Sequence, residues 1–289
     1  MNRIGIVILH YGDPGITDQC IASASALDGQ ETLKIVVVDN DLPEKRKNLR
    51  ERYQRYPSVT VIENQEEHGF SHANNLGYCY ARNQLGCTCI LVVNNDIQFT
   101  QKECLNEIQK ICNQNRCEVL APDVIRYSTG EHQNPMDVRL RTCREARQTV
   151  KKNQWMLRVY GAAYPLLIKL FERMEEKQTE AKKKNEEYYR KPHENIVPFG
   201  ACLVFMPEFV KKESNAFEPE TEFYYEEYLL ALRCQKKQYR ILYSPAVRVL
   251  HESGGATKSS MKSRKEKLYF IMKHTEKSCR IYIKFLKGK

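Results

Sequence analysis

The sequence predicts an α/β protein built around a mostly parallel, doubly wound sheet, and a few observations carry that prediction. Apolar runs of strand length recur at IGIVIL (4–9), LKIVVVDN (33–40), SVTVIEN (58–64) and CTCILVV (87–93). The second is β-branched and apolar on both faces, as an inner strand of a parallel sheet is when helices cover both of its sides. Stretches of helical spacing separate the runs, giving β-α-β-α-β-α-β, an order that right-handed crossovers wind into one sheet.

Taken in order, the first run is followed by TDQCIASASAL (17–27), whose spacing predicts a helix with Thr17 as N-cap and Asp18 in its first turn. A charged helix over 43–56, with Pro43 early, links the second strand to the third. A further helix runs from about Ser71 to Leu85, and the fourth strand covers Ile90 to Val93 before meeting Asn94, Asn95 and Asp96. Later, 223–233 reads as a helix and ILYSPAVRVL as an apolar strand before His251.

Composition bounds the function. With 289 residues and 42% hydrophobic content, the chain is long and apolar enough for a substantial core. No apolar run reaches the length of a membrane span, and MNRIGIVILHYGDPG lacks the cleavage pattern of a secretory signal. The eleven cysteines are scattered without a CxxC pair, so reduced core thiols and a cytoplasmic location are expected. A net charge of +10 points to an anionic partner; the excess cations gather in 139–191 and 258–289.

In a doubly wound sheet, ligands bind outside the carboxyl ends of the strands. There the sequence sets His10-Tyr11-Gly12, Asp39-Asn40-Asp41, Glu63-Asn64 and Asn94-Asn95-Asp96, four polar clusters on one rim. The three-glycine dinucleotide fingerprint and the P-loop are both missing. A carboxylate beside neutral amides suits a hard divalent ion, Mg2+ or Mn2+, that bridges the phosphates of a nucleotide. On that reading Asp96 takes the ion while Asn94 and Asn95 bond the nucleotide; an Asx-turn accounts for the same three residues without any ligand.

These residues resemble a known family. Asp39 after IVVV, the segment NQEEHGFSHANNLG (64–77) with its G-F-x-x-x-x-N-x-G spacing, and the VVNNDI turn look like the nucleotide-binding half of glycosyltransferase family 2, in its rhamnosyltransferase-like branch. PFGACLVFMPEFV (198–210), FEPETEFYYEEYLLALR (217–233) and HESGGAT (251–257) are similar to later motifs of that family, in the same order. Glu227 stands where Asp is usual, Leu229 where a second Asp is common, and Glu222 where an aromatic is.

The resemblance implies a GT-A fold, a Rossmann-like and mostly parallel sheet with an acceptor-side half. Its parts would be a nucleotide-sugar half (1–130), a helical insertion (131–195), an acceptor and catalytic half (196–260) and a basic tail (261–289). It implies that His10, Tyr11, Asp39 and Asn75 join Asn94 and Asn95 around the donor, and that His251 aids Asp96 at the metal or contacts the diphosphate. Glu227 would be the general base, with Gly200, Glu226 and Arg233 supporting the acceptor side. Adjacent residues on a helix point about 100° apart, so Glu226 is free to brace Arg233 or a backbone amide.

The implied function is inverting, metal-dependent transfer from a nucleoside-diphosphate sugar to a saccharide or lipid-linked acceptor in cell-surface polysaccharide synthesis. Within the insertion, WMLRVYGAAYPLLIKLF (155–171) interleaves aromatics and leucines with Arg158 and Lys169, and the tail repeats the theme. It reads equally as an element bedded at the inner face of the plasma membrane, a core helix or a dimer contact. Residues 172–191 read as a solvated helix. An inactive relative serving as a partner subunit and a nucleic-acid-binding protein are the alternative classes; no RRM, helix-turn-helix or zinc-finger signature supports the latter.

Overall fold

A computed structural model describes residues 3–29, 33–65, 69–115, 117–252 and 263–288. Its strands are β1 (Ile4–His10), β2 (Leu33–Asp39), β3 (Val59–Glu63), β4 (Cys89–Asn94), β5 (Ile97–Gln98), β6 (Val119–Arg126), β7 (His193–Glu194), β8 (Cys202–Phe205) and β9 (Ile241–His251). The helices are α1 (Pro14–Ser25), α2 (Leu49–Tyr53), α3 (Phe70–Asn83), α4 (Cys104–Asn115), α5 (Cys143–Lys184), α6 (Glu186–Tyr189), α7 (Pro207–Lys212), α8 (Glu226–Lys237) and α9 (Arg264–Leu286).

One sheet holds all the strands in the order β3-β2-β1-β4-β8-β6-β9-β5, with β7 on β9. Strands β3, β2, β1 and β4 are mutually parallel, with the doubly apolar β1, β2 and β4 buried on both faces and β3 at the edge, and β6 pairs with β9 in parallel. Antiparallel β8 joins the two parallel groups. Two apolar layers cover the sheet. One gathers Val7, Val36, Tyr78, Phe205 and Phe217 on the α3 side; the other gathers Ile6, Ile35, Ile21 and Ile108 beneath α1 and α4.

Two local expectations need correction. The first helix starts at Pro14 and its cap is Asp13, whose Oδ1 accepts from Gly15 N at 2.9 Å; Thr17 lies one turn inside and is fully buried. Proline favours the first helical position, so the chain enters the helix earlier than the apolar spacing suggested. The charged helix over 43–56 is instead a single 3-10 turn (Pro43–Lys45) followed by the short α2, capped by Asn48. Arg46, between the two turns, donates to the carbonyls of Asp41 and Asn64, and Arg50 of α2 pairs with Glu63 at 3.3 Å.

Close approach explains the glycines of the 69–77 motif. A Cβ on Gly69 would lie 1.9 Å from the Glu222 carbonyl oxygen, and one on Gly77 would lie 2.3 Å from Val7 Cγ1 and 2.7 Å from Val38 Cγ2. Gly77→Ala therefore pushes α3 off β1 and β2. The expected cost is about 1–3 kcal/mol, read as a fall in Tm by thermal unfolding with the donor site otherwise intact.

Helix α5 opens on a reciprocal cap, with Glu145 N donating to Thr142 Oγ1 and Thr142 N donating to Glu145 Oε2 at 2.8 Å. Its buried Met156, Tyr160 and Leu167 pack against Leu268 and Met272 of α9. The basic tail is thus a helix laid along α5. No helix among the described residues is long and apolar enough to cross a membrane. All eleven cysteines are free thiols.

Candidate donor and catalytic site

The register of the parallel strands builds the rim. His10 lies opposite Asp39, Asp39 opposite Glu63, and Leu9 opposite Asn94, so the predicted polar clusters do end at one level. Two antiparallel contacts add the second half. Asn94 N donates to Ala201 O at 2.9 Å, which sets Gly200 beside the Asn94-Asn95-Asp96 turn. Ile97 pairs with His251, and Glu252 N donates to Asp96 O at 3.0 Å, which brings His251 over the same turn.

The turn divides its labour in a way the sequence did not show. Asn94 keeps a half-buried side chain on the rim. Asn95 is 2% exposed, and its Nδ2 donates to Thr17 Oγ1 at 3.0 Å and to Tyr11 O at 3.3 Å. Its donor group braces the β1–α1 turn. Asp96 turns its Oδ1 to His251 Nε2 at 3.1 Å.

The His10 ring is 0% exposed, with Nδ1 at 2.6 Å from Thr17 Oγ1 and Nε2 at 3.5 Å from Asp41 Oδ2. It lies beneath the rim, held between Thr17 and Asp41. Asp41 in turn accepts from Gly12 N at 2.8 Å, and Asp39 Oδ1 accepts from Asp41 N at 3.1 Å. Burial raises the Asp39 carboxyl above its ordinary range, partly offset by that backbone donor. Tyr11 is half-buried at this corner, whereas Asp39 is 3% exposed.

Asn75 is tied to the protein backbone. Its Nδ2 donates to Phe217 O at 2.8 Å and its Oδ1 accepts from Phe217 N at 2.9 Å, so both ends of the amide tie α3 to the 217–225 segment. Asn75→Ala leaves two buried backbone groups unpaired, and its expected signature is a stability loss of about 1–3 kcal/mol with nucleotide affinity unchanged by calorimetry.

The 217–233 motif ends in the two carboxyls. Glu227 is half-buried, and its Oε1 accepts from Gly200 N at 3.2 Å. A Cβ at Gly200 would lie 2.8 Å from that oxygen and would displace the Glu227 carboxylate. Burial pushes the Glu227 carboxyl up to about 7, against the pull of the Gly200 and Glu227 N–H groups. Glu226 is 6% exposed, its Oε2 lacks a hydrogen-bond partner, and burial followed by the Glu227 charge holds it well above the carboxylate range. Glu226 does not brace Arg233. That guanidinium instead donates to the carbonyls of Asn215 and Ala216 and pairs with Glu218 at 3.4 Å, fixing the loop before the motif.

Tyr224 and Tyr225 precede the pair at φ +65° and +67°, a region side-chain-bearing residues seldom enter and that costs about 1–3 kcal/mol each. Surrounding groups impose it. Tyr225 accepts from Arg141 Nη1 at 2.9 Å and packs on Tyr228 and on Tyr282 of α9. Leu229, where a second Asp is common, is 1% exposed in the core, and Glu222 ties to His274 and Lys277 of α9.

Asp96 and His251 fit a divalent ion on the geometry present. Gln133 Oε1 stands 2.6 Å from His251 Nδ1 and can only accept, so that nitrogen carries the hydrogen and Nε2 faces Asp96. A separation of 3.1 Å between the two donor atoms matches neighbouring ligands on an octahedral ion with bonds of about 2.1 Å. A second group, His10, Asp39 and Asp41, has its possible ligand atoms within 4.8 Å of one another. Both carboxylates of that group already hold turn N–H groups, and the imidazole is sealed from the rim. Of HESGGAT, residues 253–257 lie outside the described residues.

Sequence reasoning missed Thr17, Asp41, Gln133 and Asn134. Asn134 donates to Pro122 O and accepts from Phe199 N at 3.1 Å, shaping the loop before Gly200. Apart from Asp41, which the rim pattern named without a role, these polar residues lie in no motif, and only their partners across the fold reveal them.

Comparison with known proteins follows the same lines. The model described as glycosyl transferase family 2 matches residues 5–174. No curated protein sequence matches. Among solved structures, TarS of S. aureus in complex with UDP-GlcNAc is similar over 98% of this chain and 67% of that chain, at 13% identity and a TM-score of 0.55. The mannosyltransferase PcManGT of Pyrobaculum calidifontis, with GDP-Man and Mn2+, is similar over 99% of this chain and 73% of that one, at 12% identity and a TM-score of 0.51. GalNAc-T7 with UDP, GalNAc and Mn2+ is similar over 87% of this chain and 44% of that one, at 14% identity and a TM-score of 0.56. At such identities the likeness establishes the fold, which is GT-A.

Proposed function

This chain belongs to glycosyl transferase family 2, and from that membership we propose that it is an inverting, divalent-metal-dependent transferase. It moves a hexosyl or rhamnosyl group from a nucleoside-diphosphate sugar to a saccharide or lipid-linked saccharide, in cell-surface polysaccharide assembly at the cytoplasmic face of the plasma membrane. The observation that carries the reading is the adjacency of Glu227, through Gly200 and Ala201, to the Asp96–His251 pair. Nucleotide-sugar complexes of the similar structures support it further.

In this mechanism Tyr11 and Asp39 receive the nucleobase and Asn94 bonds the donor. Asp96 and His251 would hold the ion, and a divalent ion there would supply charge stabilisation to the departing diphosphate. Glu227 accepts the proton of the acceptor hydroxyl as that oxygen attacks the anomeric carbon from the face opposite the diphosphate. The anomeric C–O bond breaks with its electron pair leaving on the diphosphate, so no covalent enzyme intermediate forms. Gly200 N–H holds Oε1 of Glu227 in place, leaving the second oxygen for the hydroxyl.

Isothermal titration against UDP, dTDP and GDP, each with and without Mn2+, tests this. The expected result is metal-dependent binding of one of them, followed by turnover of its sugar conjugates. Nucleotide binding without any turnover would instead favour an inactive partner subunit, and no binding at all would sink the donor site.

A further inference from the structure

Helix α5 carries a face that the fold does not use. Over its 42 residues, about 63 Å at 1.5 Å per residue, one side packs on α9 through Met156, Tyr160 and Leu167. A neighbouring side, turned about 90° from the packed one, exposes Trp155 to 59%, Leu166 to 71% and Leu170 to 44%. At 100° per residue these three fall within about 60° of one another, a single strip roughly 22 Å long. Burial of large apolar side chains is the ordinary rule, so a contiguous exposed strip of this kind marks a contact surface.

Charge says what it contacts. Residues 146–171 contain no Asp or Glu, and Lys151, Lys152, Arg158 and Lys169 stand exposed beside the apolar strip. None of these four cations enters an ion pair among the described residues. The flanking acids are already paired, Glu145 with Arg139 and Glu172 with Arg264. A second copy of this chain laid on the face by two-fold symmetry would set these cations against themselves. A polyphosphate such as nucleic acid would answer the charge and leave Leu166 and Leu170 in water.

We propose that the outer face of α5 docks on an anionic lipid bilayer. Trp155, Leu166 and Leu170 enter the boundary between headgroups and acyl chains while the lysines and Arg158 meet the headgroup phosphates. Each cation near such a surface adds about fivefold to the partition constant, the equivalent of about 1 kcal/mol. The inference rests on α5 alone and holds whether or not the chain transfers a sugar. For a lipid-linked acceptor it supplies the means of reaching the substrate.

Trp155 is the single tryptophan of the chain, so its emission reports the contact directly. The whole protein is mixed, without donor, with phosphatidylcholine vesicles and with the same vesicles containing phosphatidylglycerol. Expected are co-sedimentation and a shift of Trp155 emission to shorter wavelength with the anionic vesicles only. A triple variant, Lys151→Glu, Lys152→Glu and Lys169→Glu, should lose more than 100-fold in partitioning. Leu166→Ser with Leu170→Ser should lower it while keeping the charge, and unchanged Tm in both variants confirms that the fold is intact. Equal binding to neutral vesicles, sedimentation without an emission shift, or variants that partition like the wild type would each overturn the proposal. So would binding of single-stranded DNA or concentration-dependent dimerisation that the triple variant abolishes, with no vesicle binding.

Discussion

Glu227→Gln is expected to cut transfer by about 10²–10⁴-fold while metal-dependent nucleotide binding stays at the wild-type level. The amide keeps the shape and can still accept from Gly200 N, so the turn above Ala201 is undisturbed. What it loses is the ability to take a proton. Single-turnover measurement with donor and acceptor, beside calorimetry with nucleotide alone, separates the two effects. Transfer at the wild-type rate by this variant would remove Glu227 from the mechanism.

The pH dependence follows from the same carboxyl. Because burial lifts Glu227 to about 7, the base form is a minority species in mild acid. Expected is a kcat/KM that climbs about tenfold per pH unit below about 7 and levels above it. Stability has the opposite sign. A carboxyl whose folded pKa lies above its unfolded value contributes fully below about 4.5 and loses that contribution as the pH rises through about 7. Glu227→Gln removes the cost of ionising a buried acid, so at pH 8 it should be more stable than the wild type by about 1–3 kcal/mol, with little difference at pH 4.5. A thermal-unfolding series across that range checks the sign. Greater activity and lower stability at one residue would mark it as retained for chemistry.

Asp96→Ala carries the other large effect. On the proposed reading it removes one of the two side chains that would hold the ion, Asp96 and His251. Nucleotide binding should then become independent of Mn2+ and weaken by about 100-fold or more, a loss of about 2.7 kcal/mol. Gln133→Leu serves as the graded counterpart: it removes the acceptor at His251 Nδ1 without changing Asp96 or His251, and the expected loss of metal affinity is about 10–100-fold. Asp41→Asn tests the second acidic group. If Asp41→Asn abolishes the metal response while Asp96→Ala spares it, the ion belongs with His10, Asp39 and Asp41 instead.

Much of this was legible before any coordinates. The β-branched runs dictate buried parallel strands, because only strands covered on both faces are apolar on both faces, and β1, β2 and β4 follow from that alone. The helix over 43–56 was misread because its charges satisfy helix propensity locally while Arg46 does better against the carbonyls of Asp41 and Asn64. Asn75 and Asn95 show the same limit within the site. Each lies in a motif that pointed to a ligand, and each spends its amide on a backbone or hydroxyl partner that sequence spacing does not reveal.

By itself the sequence determined the parallel half of the sheet, the rim on which the polar clusters gather, and the order of motifs that relates the chain to its family. Those are consequences of periodicity and residue chemistry, which are local. Only the tertiary structure decided which carboxylates and amides face outward. Asp96 meets His251 through the pairing of β5 with β9, and Glu227 reaches Gly200 across 27 residues. Tyr224 and Tyr225 are held in a costly turn where Arg141 and α9 pack around Tyr225. Such placements depend on packing between elements far apart in the chain, where a buried polar group takes whichever partner leaves the fewest groups unsatisfied.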